Sequence, residues 1–92
     1  MSIVASTTVT TVVVEEGSNV TYETRNESGT LVSELLQCLE GDDIVAWYRI
    51  EYDNNGNMVY TSTWTGFEQW WTRDETGKVI HYRNSDGTER RW

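Results

Sequence analysis

The sequence predicts an α+β fold, in which a twisted antiparallel sheet carries one helix packed on one of its faces. Two observations lead to this prediction. The second half of the chain repeats turn residues between short segments rich in aromatic and β-branched residues, which is typical of hairpins. One earlier segment has apolar residues at helical spacing. With 92 residues the chain is expected to form a single domain, with an N-terminal part over 1–41 and a meander over 43–92.

The repeat consists of two consecutive pieces, DNNGNMVYTSTWTGFEQWW and DETGKVIHYRNSDGTERRW. They align at an offset of 21 residues, which places Gly56 on Gly77 and Trp71 on Trp92. Each piece opens with Asp and has glycine three positions later, the pattern of a type I turn closed by a left-handed residue. Because one hairpin alone is marginal in water, this duplication indicates hairpin-sized units that share a sheet. An upstream segment, EGSNVTYETRNESGT, echoes TGKVIHYRNSDGT and suggests a third, degenerate copy.

Apolar and polar residues alternate in DIVAWYRIEY, which predicts a strand over 43–52. It is expected to pair with 57–64, and the segments 67–73, 78–83 and 88–92 extend the meander. Two earlier strands are predicted over 3–14 and 19–25.

The predicted helix is TLVSELLQCLEG, residues 30–41. Gly29 and Thr30 offer its N-terminal boundary, and Gly41 is a plausible C-terminal stop. Its apolar stripe, which is expected to pack on one face of the sheet, consists of Leu31, Val32, Leu35, Leu36 and Leu39.

The net charge of −8 is distributed unevenly. Residues 1–68 contain eleven acids and two bases, which gives −9, whereas residues 69–92 contain four acids and five bases, which gives +1. The acidic part should repel nucleic acid and lipid headgroups and attract basic protein surfaces. Plain solubility is the alternative explanation for the acids.

The sequence lacks the components of an enzyme or of a metal site, so neither catalysis nor a cofactor is expected. His81 is the single histidine and Cys38 the single cysteine, and nothing in the sequence orients them as a nucleophile pair. Asp53, Asn55 and Asn57 alternate like the start of a calcium loop, but the glycine comes at the fourth position and no Glu follows at the twelfth, so we interpret them as a turn. The unpaired cysteine and the absence of a typical leader predict a cytoplasmic protein without membrane contact.

Protein binding is the predicted activity, through exposed aromatic residues and rows of carboxylates. The candidate partner-binding residues are Glu15, Glu16, Asp42, Asp43, Glu51, Asp53, Trp64, Trp70 and Trp71. The expected partner is a host protein with a basic surface, to which the carboxylates would imitate a phosphate backbone. Two alternatives stay open: a structural module that forms a homo-oligomer, and a carbohydrate-binding module that uses an exposed Trp face.

The pattern EYDNNGNMVY…GFEQWWTRDETGKVIHYRNSDGTERRW resembles tandem hairpin repeats of small hypothetical proteins from bacteriophages and prophages. The likeness covers about residues 47–92, half of the chain. It implies a mobile-element origin and expression in the cytoplasm of a bacterial host. By analogy with other small acidic phage proteins, it also implies an inhibitor of a host nucleic-acid-handling defence complex, as anti-CRISPR proteins are.

Overall fold

The computed structural model describes residues 9–16 and 19–92, with side chains from Asn19 onward. The described chain forms one sheet of eight antiparallel strands in sequence order, each strand pairing with the next. The strands are β1 (Val9–Glu16), β2 (Asn19–Arg25), β3 (Leu31–Glu40), β4 (Asp43–Tyr52), β5 (Met58–Thr63), β6 (Glu68–Arg73), β7 (Val79–Asn84) and β8 (Glu89–Arg91). The meander predicted over 43–92 is therefore confirmed. The part of the strand predicted over 3–14 that precedes Val9 lies outside the described residues.

The prediction of a helix over 30–41, and with it the α+β class, is wrong. This segment is β3, a central strand paired with β2 on one side and with β4 on the other. Helix propensity is a weak preference that tertiary context overrides. Here the unpaired backbone groups of β2 and β4 are satisfied by a strand between them, and Leu35 and Leu36 point to opposite faces of the sheet instead of along one stripe.

Four of the turns between strands share one construction. The side-chain Oδ1 of each turn's first residue accepts hydrogen bonds from the backbone N–H groups two and four positions later, at Asn26, Asp53, Asp74 and Asn84. A glycine in the left-handed region follows three positions after each, with φ of 84° at Gly56 and 89° at Gly77. Asn26 and Gly29 build the same turn, so the two residues taken as a helix boundary, Gly29 and Thr30, belong to a hairpin.

The turn between β3 and β4 is shorter. Glu40 and Asp43 pair directly, leaving Gly41 and Asp42 as a two-residue loop. Gly41 has φ of 63° and Asp42 has a negative φ, as in a type II′ hairpin turn. The glycine predicted to end a helix therefore reverses the chain between two strands.

The sheet is a single layer. Its Cα radius of gyration is 15.7 Å, against about 12 Å for an average globular chain of this length. Among the described side chains, Val20 is the one apolar residue classed as buried, and Thr61 is the most deeply buried at 1% exposed. No helix among the described residues is long and apolar enough to cross a membrane. Stability therefore comes from cross-strand pairs on two half-open faces and from tight turns.

The register gives the two faces of the sheet different chemistry. One face, which we call the uncharged face, carries Leu36, Tyr48, Ile50, Thr61, Thr63, Gln69, Trp71, Tyr82 and Asn84 on neighbouring strands. The other, which we call the charged face, carries Trp47, Arg49, Glu51, Tyr60, Glu68, Trp70, His81, Arg83 and Glu89. Between the turns from β4 to β7, the one charged side chain that the register places on the uncharged face is Arg73, the last residue of β6.

Candidate functional site

Acidic residues gather at one end of the sheet. In a meander, alternate turns lie at the same end, so the β1–β2, β3–β4, β5–β6 and β7–β8 turns share an end. The turns are staggered, because one cross-strand row runs from Glu51 through Tyr60, Trp70 and Arg83 to Glu89, so Glu89 is level with Glu51 and not with Asp43. We therefore call the acidic end only the ends of β1–β4 next to the β1–β2 and β3–β4 turns, together with Trp64 of the β5–β6 turn. Its acids are Glu15, Glu16, Glu40, Asp42 and Asp43. No Lys, Arg or His stands among the described residues of these turns.

The opposite end of the sheet has balanced charge. Its turns carry Glu27, Asp53, Asp74 and Glu75 together with Arg25, Arg73 and Lys78. Arg25 and Arg73 each donate from Nη1 to the carbonyl oxygen of the glycine in the following turn, Gly29 at 2.9 Å and Gly77 at 2.8 Å. The basic side chains at this end therefore stabilise their own turns.

The β3–β4 hairpin presents acids that are free of partners. Glu40, Asp42 and Asp43 are exposed and make no hydrogen bond or ion pair with the described part of the chain. Glu40 and Asp43 also face each other directly across the two strands. Like charges in this position destabilise a sheet, so the pair costs the fold stability. A cost of this kind fits residues that serve binding.

A shallow apolar groove lies beside the acidic end, between β3 and the β5–β6 turn. It has a volume of about 290 Å³ and is lined by Leu36, Cys38, Ala46, Trp47, Tyr48, Thr63 and Trp64. Trp64 is 59% exposed, and its backbone N–H donates to the carbonyl oxygen of Trp47 at 3.1 Å. This backbone bond holds the turn against β4. The groove thus combines an aromatic anchor with adjacent carboxylates.

The structure brings together five of the nine predicted site residues. Glu15, Glu16, Asp42, Asp43 and Trp64 all belong to the acidic end by their place in the strands and turns. The side chains of Glu15 and Glu16 lie outside the described residues, so their placement rests on the backbone of β1.

Glu51 and Asp53 lie away from this cluster, at the opposite end of β4. Eight residues separate Glu51 from Asp43, about 27 Å along a strand. The Asp53 carboxylate accepts hydrogen bonds from the backbone N–H groups of Asn57 and Asn55, which hold its pKa below the ordinary value. Asp53 is therefore a turn-forming residue, as the interpretation of DNNG as a turn expects, and its carboxylate is already engaged.

The adjacent tryptophans of β6 point to opposite faces. Trp70 lies on the charged face, with its ring centroid 5.7 Å from that of Tyr60 and with the Arg83 guanidinium 4.2 Å from its own ring centroid. Trp71 lies on the uncharged face, 5.4 Å from the ring of Tyr82. Both indoles are half-buried in these contacts, and neither lies at the acidic end.

Ion pairs and hydrogen bonds occupy much of the charged face. Tyr60 donates its hydroxyl to Glu68 Oε2 at 2.6 Å, and His81 Nε2 lies 2.7 Å from Glu89 Oε2. The bond from His81, followed by that from Arg91, lowers the pKa of Glu89. The charges of this face at β5–β8 therefore largely satisfy one another.

Sequence reasoning missed one acid of the acidic end, Glu40. Its position next to Gly41 and Asp42 would mark it as a neighbour of a hairpin turn. The helix predicted over 30–41 took the place of β3 and hid this hairpin.

No group of three or more potential metal ligands occurs among the described side chains. Comparisons of the chain with protein-family models, with curated proteins and with solved structures found no match.

Proposed function

We propose that this protein is a non-enzymatic binding protein that docks its acidic end on a basic surface of another protein. The gathering of five acids, Glu15, Glu16, Glu40, Asp42 and Asp43, around two neighbouring turns that contain no described basic residue carries the proposal. These two turns form one edge of negative charge. Such an edge attracts a basic cleft electrostatically and speeds its association.

The aromatic residues supply the second element of the proposed site. Trp64 and the apolar groove beside the acidic end offer the desolvated contact area that charges alone do not provide. Exposed tryptophans are common interface anchors. A partner surface with basic residues next to an apolar projection fits this combination.

The sharpest form of the proposal is a phage-encoded inhibitor that occupies the nucleic-acid site of a host defence complex. It rests on the sequence resemblance and on the charge, since a cleft that binds phosphates is basic. In this form the carboxylates of the acidic end take the place of phosphates.

The first experiment is a pull-down with the tagged protein from a nuclease-treated bacterial lysate, eluted in salt steps. We expect a nucleic-acid-handling protein to elute at moderate salt, because exposed charge pairs are screened. Binding that is unchanged from low to high salt would contradict docking through the acids.

Charge reversal at each end tests the location of the site. Asp42→Lys with Asp43→Lys should weaken binding of the captured partner by on the order of tenfold or more. The matched control, Glu51→Lys with Glu75→Lys, makes the same charge change away from the acidic end and should bind much more tightly than the first variant.

Stability separates this effect from misfolding. Asp43→Lys replaces a like-charge pair with Glu40 by an opposite-charge pair, which should stabilise the fold by roughly 0.2–1 kcal/mol. A variant that is more stable and yet binds less shows that the acid serves binding. Equal loss of binding in both double variants would overturn the proposed site.

A further inference from the structure

The uncharged face is not covered by any other part of the chain that the structure describes. Leu36 is 38% exposed and Tyr48 is 37% exposed, and these two residues are direct cross-strand neighbours. Stable domains bury the apolar face of a sheet against another layer. The described part of this chain contains no such layer. The Cα radius of gyration of 15.7 Å exceeds that of an average globular chain of this length. This expanded shape agrees with a described sheet of one layer.

The charges at the two flanks of this face have opposite sign. On β3, Glu34 lies on the uncharged face and accepts a hydrogen bond from the Tyr52 hydroxyl. On β8, Arg90 pairs with Tyr82, which places it on the same face. Arg90 is exposed and has no partner among the described residues, and Glu34 contacts no described cation. Among the described side chains of the four strands between these flanks, the one charge on this face is Arg73 at the end of β6, which donates to the carbonyl oxygens of Met58 and Gly77.

Two copies can be stacked with their uncharged faces together and related by a two-fold axis that is parallel to the strands and runs between β5 and β6. Under this axis β4 of one copy lies over β7 of the other, and β3 lies over β8. Glu34 of each copy then lies over the strand that holds Arg90 of the other, while the uncharged strands cover each other. The surface is complementary to itself, as a two-fold interface requires.

The area of the face suits such a dimer. Six strands, β3–β8, span about 24–29 Å at 4.8 Å per strand, and strands of six to ten residues are roughly 20–30 Å long. Each copy would bury about 500–850 Å², near the ~800 Å² per partner of a standard stable interface.

We propose that the uncharged face is the interface of a homodimer, in which two copies of this chain pack face to face as a sandwich. The inference goes beyond the proposed function and overlaps with it in one place: the groove residues Leu36, Tyr48 and Thr63 lie on the uncharged face, so the dimer would cover the groove and leave the acidic end for another partner. Binding measured with Asp42→Lys and Asp43→Lys therefore tests the acidic end separately from the dimer. Strand directions are preserved by the axis, so both acidic ends lie at the same end of the dimer, with the two β3–β4 turns about four strand spacings, roughly 19 Å, apart across the sheets. Their mutual repulsion is a cost that the buried apolar area must exceed.

Light scattering after size exclusion tests the proposal with a matched pair of variants on one strand. Leu36→Lys places a charge on the uncharged face, and Leu35→Lys places the same charge one residue away on the charged face. For the natural sequence at about 100 µM, we expect twice the chain mass of 10.6 kDa. We expect Leu36→Lys to elute at the mass of one chain and Leu35→Lys to stay dimeric.

A charge-swap pair tests the axis. Glu34→Lys and Arg90→Glu should each weaken the dimer, and an equimolar mixture of the two should recover dimers that contain both chains. Circular dichroism of each variant shows whether the sheet is retained, and Tyr48→Lys provides a second variant of the uncharged face if Leu36→Lys fails to fold. A monomer for the natural sequence, or equal dissociation by Leu35→Lys and Leu36→Lys, would overturn the proposal and leave this face for a different protein.

Discussion

The two faces of the sheet are stabilised by different interactions. On the charged face from β5 to β8, side chains stabilise one another through an aromatic pair, a cation–π contact and carboxylate hydrogen bonds. On the uncharged face, neutral side chains form a hydrogen-bonded chain across β5–β7. In this chain Gln69 donates to Thr61 Oγ1, Tyr82 donates to Gln69 Oε1, and Asn84 donates to the Tyr82 hydroxyl.

This difference indicates which face is satisfied by contacts within one chain. From β5 to β8 the charged face satisfies its charges within the chain, and it suits contact with water. The uncharged face has satisfied polar groups and apolar residues that are still partly exposed, which is the composition of an interface core. The predictions that follow test this contrast, from the largest expected effect to the smallest.

Trp71→Ala should produce the largest loss of stability. It removes the ring contact with Tyr82 and leaves a cavity on the uncharged face. We expect a loss of about 2–3 kcal/mol in the free energy of unfolding, somewhat below the cost for a fully buried Trp. Urea denaturation at two protein concentrations measures it.

Trp70→Ala is the matched control, and it should cost less than Trp71→Ala at high concentration, where a second copy packs on Trp71. A larger cost for Trp70→Ala at every concentration would contradict the contrast.

Thr61→Val tests the neutral hydrogen-bonded chain. The substitution keeps the shape of a side chain that is 1% exposed, but it removes the acceptor of the Gln69 amide. An unsatisfied buried polar group costs about 1–3 kcal/mol. The double variant Thr61→Val with Gln69→Leu removes both partners and should recover part of the loss, as denaturation of the two variants would show. No recovery would mean that the amide had found another acceptor.

Arg83→Gln tests the charged face. It removes the cation above the Trp70 ring at an exposed site, which should cost about 0.5–1 kcal/mol. High salt should reduce this loss of stability less than it reduces the contribution of an exposed ion pair, because part of the contact is packing. A loss as large as that of Trp71→Ala would show that the charged face carries more of the stability than its exposure indicates.

The pH dependence of the two faces should differ. The folded-state pKa of Glu89 lies below its unfolded value, so the His81–Glu89 contact contributes above the unfolded pKa of about 4.3 and is lost as the pH falls through the folded value. Carboxyl NMR titration of Glu89 measures it, and His81→Gln should move its pKa back up. An unshifted Glu89 in the natural sequence would contradict the contact.

On the uncharged face, burial and then the hydrogen bond to Glu34 raise the pKa of Tyr52 to about 12. This contribution is present below the unfolded pKa of about 10 and is lost as the pH rises through the folded value. Ultraviolet absorbance should therefore show incomplete ionisation at about pH 11. The hydrogen bond to Glu68 also raises the pKa of Tyr60, so Tyr52→Phe should remove the latest part of the transition and leave the contribution of Tyr60. Complete ionisation at that pH would contradict it.

Much of the meander could be predicted from sequence because its signals are local. DNNG and DETG specify turns through an Asx side chain and a left-handed glycine, and both turns form as expected. The same construction in RNESG, with Asn26 and Gly29, was available in the sequence and would have predicted a hairpin before β3. The spacing of Leu31, Leu35 and Leu39 obscured it, because apolar residues four apart suit one face of a helix as well as one face of a strand.

Some residues of the candidate site could likewise be predicted from the sequence, and others could not. Asp42, Asp43 and Trp64 follow from their positions in turns, whereas Glu51 and Asp53 were assigned to the same surface from proximity in sequence alone. The length of β4 separates them, and the Asp53 carboxylate is used within its own turn.

By itself, the sequence determined the turns, the single antiparallel meander of its second half and the acidic excess of its first 68 residues, because these depend on local backbone preference and on composition. Only the tertiary structure decided that residues 31–40 form a strand, that the acids next to the β1–β2 and β3–β4 turns share one end, and that one face carries mostly neutral side chains from β4 to β7. The physical reason is register. Which side chains share a face or an end depends on how the strands align, and that alignment is fixed by hydrogen bonds between residues distant in the chain.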